Sequence, residues 1–256
     1  MSYYTSRRQF LSACASTPLF AAGMLSVARA GTKPSLHMTL TGQALMEHPL
    51  CPAAYAGFDA VVAEVRRGDV AFTDLEVAIK TAASGKPTRD NGFLHAAEPE
   101  VLGCLKDMGF DMLALSNNHA WDLSSAGVVA TRDAVAAAGF AYAGTGANIA
   151  EAATPGYLGN SPKVALVAAA SGKINELASA TKDRSGVNEL RLSPDGTVNP
   201  EDRKRILGSI EEAAINADYV IAYRHNQQWE GVLSVTRPWS RPGAGECVGA
   251  GGEVCV

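Results

Sequence analysis

The chain is poor in charge, in aromatic side chains and in sustained apolar runs, and each shortage narrows what it can be. Charged residues make up 19% of its 256 positions and aromatic ones 7%. There is no run of basic residues and the formal charge is −4, which excludes the electrostatic footprint of a nucleic-acid binder. No apolar stretch approaches the ~20 residues that a bilayer-crossing helix needs, so no stable membrane span is expected. The five cysteines include no C-x-x-C pair, which argues against a thiolate zinc site. No internal repeat and no dividing linker is visible. With a hydrophobic fraction of 47%, the sequence reads as one ordinary globular domain.

What is present begins with Thr5-Ser6-Arg7-Arg8-Gln9-Phe10-Leu11, a twin-arginine pattern, and an Ala-rich stretch ending in Ala28-Arg29-Ala30. Residues 1–30 read as a Tat export signal with an A-x-A cleavage site. The expected mature chain starts at Gly31 and is periplasmic or extracellular, with the Tat translocase as its partner during export. Loss of Arg7, Arg8 and Arg29, with no acid beside them, takes the formal charge from −4 to −7. Leu11-Ser12-Ala13-Cys14 matches a lipoprotein box, but Cys14 precedes the apolar region instead of ending it, which argues against lipidation. Cys51, Cys104, Cys247 and Cys255 would then reside where disulfides persist. Cys104 lies on an apolar helical stripe and reads as a small core residue; pairing among the others stays open.

Along the mature chain, strands are expected at Leu36 to Gly42, Asp69 to Thr73, Asp111 to Leu115, Phe140 to Ala143, Lys163 to Ala170 and Asp218 to Tyr223. Helices are expected from Asp59 to Arg67, across Val101, Leu105 and Met108 with Gly109 as the stop, and from Ser125 to Ala138. Asn199-Pro200-Glu201-Asp202 opens another, with a capping Asn, a first-turn Pro and acids at the positive end of the dipole. The stretch from Thr81 to Asn91 reads as a loop. Strands alternating with helices imply a layered α/β domain.

Polar groups follow four of these strands: Gly42-Gln43, Asp74-Leu75-Glu76, Asn118-His119-Ala120-Trp121-Asp122, and Arg224-His225-Asn226 with Trp229-Glu230. If the strands are parallel neighbours, these groups converge on one edge of the sheet, where α/β proteins collect ligands. Carboxylate, amide oxygen and imidazole together suit a divalent transition metal. Each residue also has a plainer reading. Asn117 and Asn118 can make a turn by bonding their own backbone, Gln43 can be a turn residue, and Glu76 and His225 can be a solvated acid and a satisfied histidine. His37, inside its strand, and Glu47-His48, in a Pro-containing loop, are weaker candidates, with both histidines read as structural or exposed.

These segments resemble the bacterial CapA capsule-synthesis family, also called PGA_cap. Asp69-Val70-Ala71-Phe72-Thr73-Asp74-Leu75-Glu76 and Leu115-Ser116-Asn117-Asn118-His119-Ala120-Trp121-Asp122 carry the likeness. Gly144-Thr145-Gly146 through Ala152, and Ala217-Asp218-Tyr219-Val220-Ile221 through His225 and Glu230, extend it over nearly all of Leu36 to Val256. The resemblance implies a layered α/β sandwich of the metallo-dependent phosphatase type. By it, Glu76, Asn118, His119 and His225 occupy metal-site positions, while Asp122 and Glu230 orient the imidazoles.

The chemistry implied by the likeness is hydrolysis assisted by a divalent ion (Mn, Fe, Zn or Mg), with His119 or His225 as an alternative general acid. Its substrate would be an anionic polymer or a small phosphoester or amide. Two departures stand out. Gln43 follows Gly42 where many relatives have Asp, a weaker ligand kept here as an outer group, and Asp74 replaces the usual Asn, returning a carboxylate. The chain also stops before the family's last His-containing loop, so a sandwich incomplete at its C-terminal edge is expected, with marginal stability and association through the exposed strand. Gly-rich residues 243–252 should weaken the helix expected there. The competing expectation is a non-catalytic envelope protein that binds polymer or assists its export.

Overall fold

The computed structural model describes residues 33–51, 55–89, 93–227, 240–252 and 254–255. The export signal, the lipoprotein-box cysteine, Trp229 and Glu230 lie outside them.

The first half of the chain supplies β1 (Met38–Ala44), α1 (Phe58–Val65), β2 (Val70–Leu75), β3 (Ala78–Ile79), β4 (Ala96–Ala97), α2 (Glu100–Met108), β5 (Met112–Ala114), α3 (Ser124–Ala137) and β6 (Ala141–Ala143). The second half supplies β7 (Thr145–Gly146), α4 (Ile149–Ala152), β8 (Gly156–Leu158), β9 (Val164–Gly172), β10 (Gly186–Val187), β11 (Glu189–Leu190), α5 (Pro200–Asn216), β12 (Tyr219–Gln227), α6 (Ser240–Gly249) and β13 (Val254–Cys255).

Two sheets form the centre. One has the order β1-β2-β5-β6, all parallel. The other has the order β11-β9-β12-β13, also parallel, with β8 antiparallel to β9. Because side chains alternate along a strand, each sheet has two apolar faces. Phe72, Met112 and Ala114 of the first sheet meet Leu166, Ala168 and Ile221 of the second in a core between them. Ala71, Leu113 and Leu115 face the opposite way, onto Val101, Leu105 and Met108 of α2. Val167, Val220 and Ala222 of the second sheet likewise face Ile206 and Ile210 of α5. The result is the expected layered α/β sandwich of the metallo-dependent phosphatase type, with helices outside two packed sheets.

Local signals act as read. Asn199 caps α5 by accepting from the backbone N–H groups of Glu201 and Asp202, and Gly109 ends α2 with φ +103°. Gly144 has φ +104°, and a Cβ there would lie 2.6 Å from Cβ of Ser116 and 3.0 Å from that of Ala168. Only glycine lets the sheets close at this point, just before the turn that carries His119.

Two expectations are corrected. β12 runs on to Gln227, so His225 belongs to a strand and does not follow one. His37 precedes β1 and is exposed, its backbone N–H donating to Asp69. Residues 240–249 form the expected helix, followed by the short edge strand β13.

A candidate metal centre between the sheets

The polar groups meet at the carboxyl ends of the strands, yet not along the edge of one sheet. Asp74 is the next-to-last residue of β2 and Glu76 follows the strand; Asn118 and His119 follow β5; His225 comes across from β12. Asp74, Glu76, Asn117, Asn118, His119, Asp122 and His225 are all buried.

Asp74 is the hub of the first group. Oδ2 accepts from Nδ1 of His225 and from the Tyr223 hydroxyl, both at 2.9 Å, and Oδ1 accepts from the Asn117 side chain at 2.9 Å. Tyr223 reaches it because its ring packs on Phe72 across the sheets, with centroids 5.1 Å apart. Nε2 of His225 lies 2.7 Å from Oδ1 of Asn118 and 3.7 Å from Oε1 of Glu76. Asn117 also makes the turn that its residue type predicts, Oδ1 accepting from the His119 backbone N–H at 3.0 Å. Asn118 instead turns its side chain to His225.

Asp122 is the second hub. Oδ2 accepts from Nδ1 of His119 and from the backbone N–H of His95, both at 2.8 Å, while Oδ1 pairs with Nε of Arg89 at 2.6 Å. With Nδ1 held by a carboxylate, Nε2 is the second ring nitrogen of His119. Its ring meets that of His95 edge-on, centroids 4.2 Å apart, and Nδ1 of His95 is bonded to Glu47. His95, Glu47 and Arg89 are neighbours that the sequence reading missed or set aside. The one signal for His95 is a lone imidazole in a loop directly before β4.

A divalent ion fits this arrangement. Asp74, Glu76 and His225 each offer a ligand atom, all within 4.8 Å of one another, and two carboxylates with an imidazole suit a transition metal. Among the described residues, Oε2 of Glu76 is buried without a hydrogen-bond partner, a costly state unless a cation answers it. Burial raises the Glu76 pKa; attraction to His225 works against this and repulsion from Asp74 adds to it, leaving the group above its ordinary range. Burial opposes charge on His225, but its hydrogen bond to Asp74 and the nearby carboxylates outweigh that and raise its pKa.

His119 lies outside the three-residue donor set, near enough to Glu76 to act on its charge. Gln43 is the register partner of Asp74 and is exposed. His48 is exposed.

The family model for the bacterial capsule synthesis protein PGA_cap matches residues 37–251. This chain belongs to that family. Two curated relatives from Sinorhizobium fredii (strain NBRC 101917 / NGR234), the uncharacterized proteins y4sH and y4uA, are each 30% identical over 173 residues. The match covers 64% of this chain and 38% of each relative, so the PGA_cap chain described here aligns with well under half of their length.

Elsewhere in this PGA_cap domain, Cys104 does more than fill the core: it forms a disulfide with Cys51. No helix among the described residues is long and apolar enough to cross a membrane.

Proposed function

We propose that this PGA_cap protein is a metal-dependent hydrolase or phosphoesterase of capsule or envelope polymer metabolism, exported by the Tat translocase to the periplasm or beyond. The observation that carries the reading is the buried set of Asp74, Glu76 and His225, with an oxygen of Glu76 that no described residue answers. These residues would hold the ion, with Asn118 beside His225. A divalent ion there supplies Lewis acidity to a substrate oxygen and offsets the negative charge that builds up during hydrolysis.

The protein's own groups do the rest. Asp122 fixes the tautomer and direction of His119, whose Nε2 delivers a proton to the departing oxygen or nitrogen. Asp74 holds His225 in line through Nδ1, aided by Tyr223 and Asn117. The Cys51–Cys104 disulfide supports export, because such bonds persist in oxidising compartments. The substrate class is an anionic polymer, or a small phosphoester or amide.

A second reading, a polymer-binding or export-assisting protein without catalysis, is favoured by Gln43, a neutral amide beside Asp74. Elemental analysis of exported protein with a p-nitrophenyl phosphate assay separates the two. The hydrolase reading expects stoichiometric metal and turnover in wild type, no metal in His225→Ala, and metal without turnover in His119→Ala. Metal-free wild type that still binds acidic polymer overturns it in favour of the second reading.

A further inference from the structure

Arg89 is placed with more care than a loop residue needs. Thr88 is tied to the turn that carries His119: its backbone N–H donates to the Asp122 carbonyl at 2.9 Å and its hydroxyl to the Trp121 carbonyl at 3.0 Å. The guanidinium of Arg89 then pairs through Nε with Oδ1 of Asp122 and donates from Nη2 to the Asn118 carbonyl. Among the described residues, the Nη2 contact is a hydrogen bond, whereas the Nε contact is a close ion pair and Oδ1 of Asp122 has no hydrogen-bond partner. The Arg89 side chain keeps 25% of its surface open, whereas that of Asp122 keeps 1%. A partly open arginine side chain therefore stands directly beside the candidate metal centre.

The charges around it give that side chain a task. Asp74, Glu76, Asp122 and Glu47 crowd the site with carboxylates, and the chain after its proposed leader carries a formal charge of −7 once Arg7, Arg8 and Arg29 are gone. An anionic substrate approaching such a site is repelled unless a fixed positive group meets it. An arginine fork is suited to this, because it is always charged and its geometry matches the paired oxygens of phosphate or carboxylate.

From this placement we infer that Arg89 is a substrate-recognition residue, its guanidinium binding an oxyanion, phosphate or carboxylate, at the mouth of the centre. The inference rests on the hydrolase reading for its substrate but not for its test. Calorimetric titration of the full chain with inorganic phosphate, and separately with glutarate, is compared between wild type and Arg89→Gln, with metal content measured on the same samples. Wild type should bind at least one probe, phosphate if the substrate is a phosphoester and glutarate if it is a polycarboxylate. Arg89→Gln should weaken that binding by about tenfold or more, and Arg89→Lys, which keeps charge but loses the fork, by less.

A second measurement needs no variant: the binding probe should slow modification of Arg89 by phenylglyoxal, read by peptide mass spectrometry. Metal-loaded protein that binds neither probe, or equal affinity in Arg89→Gln and wild type, or unprotected Arg89 at saturating probe, overturns the inference and leaves the metal reading standing. Metal-free protein whose probe binding still depends on Arg89 upholds the inference and removes the metal reading.

Discussion

Asp74 and His225 are hydrogen-bonded at 2.9 Å although they belong to different sheets, β2 and β12. The Tyr223 hydroxyl shares the same carboxylate oxygen. Tyr223→Phe keeps the ring packed on Phe72 and deletes only that donor. It should lower stability by about 2 kcal/mol and weaken metal binding by about tenfold, measured by urea unfolding and by chelator competition. An unchanged metal affinity would detach Tyr223 from the centre.

Asp122 collects Arg89, His119 and the backbone of His95 on one buried carboxylate. Asp122→Asn removes the charge and leaves the shape. Turnover should fall by about a hundredfold or more, since His119 loses the group that fixes its tautomer, and stability by about 3 kcal/mol. Steady-state kinetics beside a thermal melt checks both, with metal content expected to stay at the wild-type level.

Asp202 is buried and accepts from Arg191 through Nε at 2.7 Å and Nη2 at 2.8 Å, and from Arg205 through Nη1 at 2.7 Å. Burial alone would push the carboxyl up; the two guanidinium groups outweigh it and hold it below the usual carboxylate range. A carboxylate with a lower pKa folded than unfolded stabilises the fold above the unfolded value, about 3.9. That stability drains away as pH falls through the folded value. Asp202→Asn should cost about 2 kcal/mol at neutral pH, and its gap from wild type should narrow below about pH 4. Urea midpoints taken across that range test it; a gap that stays constant removes the ion-pair account.

The disulfide joins Cys51 to Cys104 across a separation of 53 residues. Closing a loop of that length restricts the unfolded chain and stabilises the fold by about 4 kcal/mol. Replacing both cysteines by serine should lower the denaturation midpoint accordingly. Glu47 sits four positions before Cys51, on the segment the bond restrains, so the Glu47–His95 contact should loosen too, visible as a shifted His95 ring resonance.

The long strands and helices could be read because burial on one or both faces leaves a periodic trace, as in the unbroken run of β9 or the stripe of α2. Strands of two residues, such as β3, β4, β7 and β10, are too short to carry any period, and tertiary pairing alone defines them. The contact of His119 with Asp122 was implied by the family resemblance. Glu47 and His95 lie 48 positions apart, and no local pattern announces such a pair. The prediction that the ligands line one sheet edge failed for a similar reason: a sequence reveals that strands alternate with helices but not that they divide into two sheets.

That division has a consequence for how the protein matures. The three clustered side chains come from both sheets, so the set is complete only when the two halves dock, and a cation held there would act as a rivet through the seam. Collapsed intermediates with well-formed but undocked layers would bind nothing. Uptake of the ion by newly made chains should therefore coincide with the last step of folding, and stripping it should be felt first as slippage between the layers.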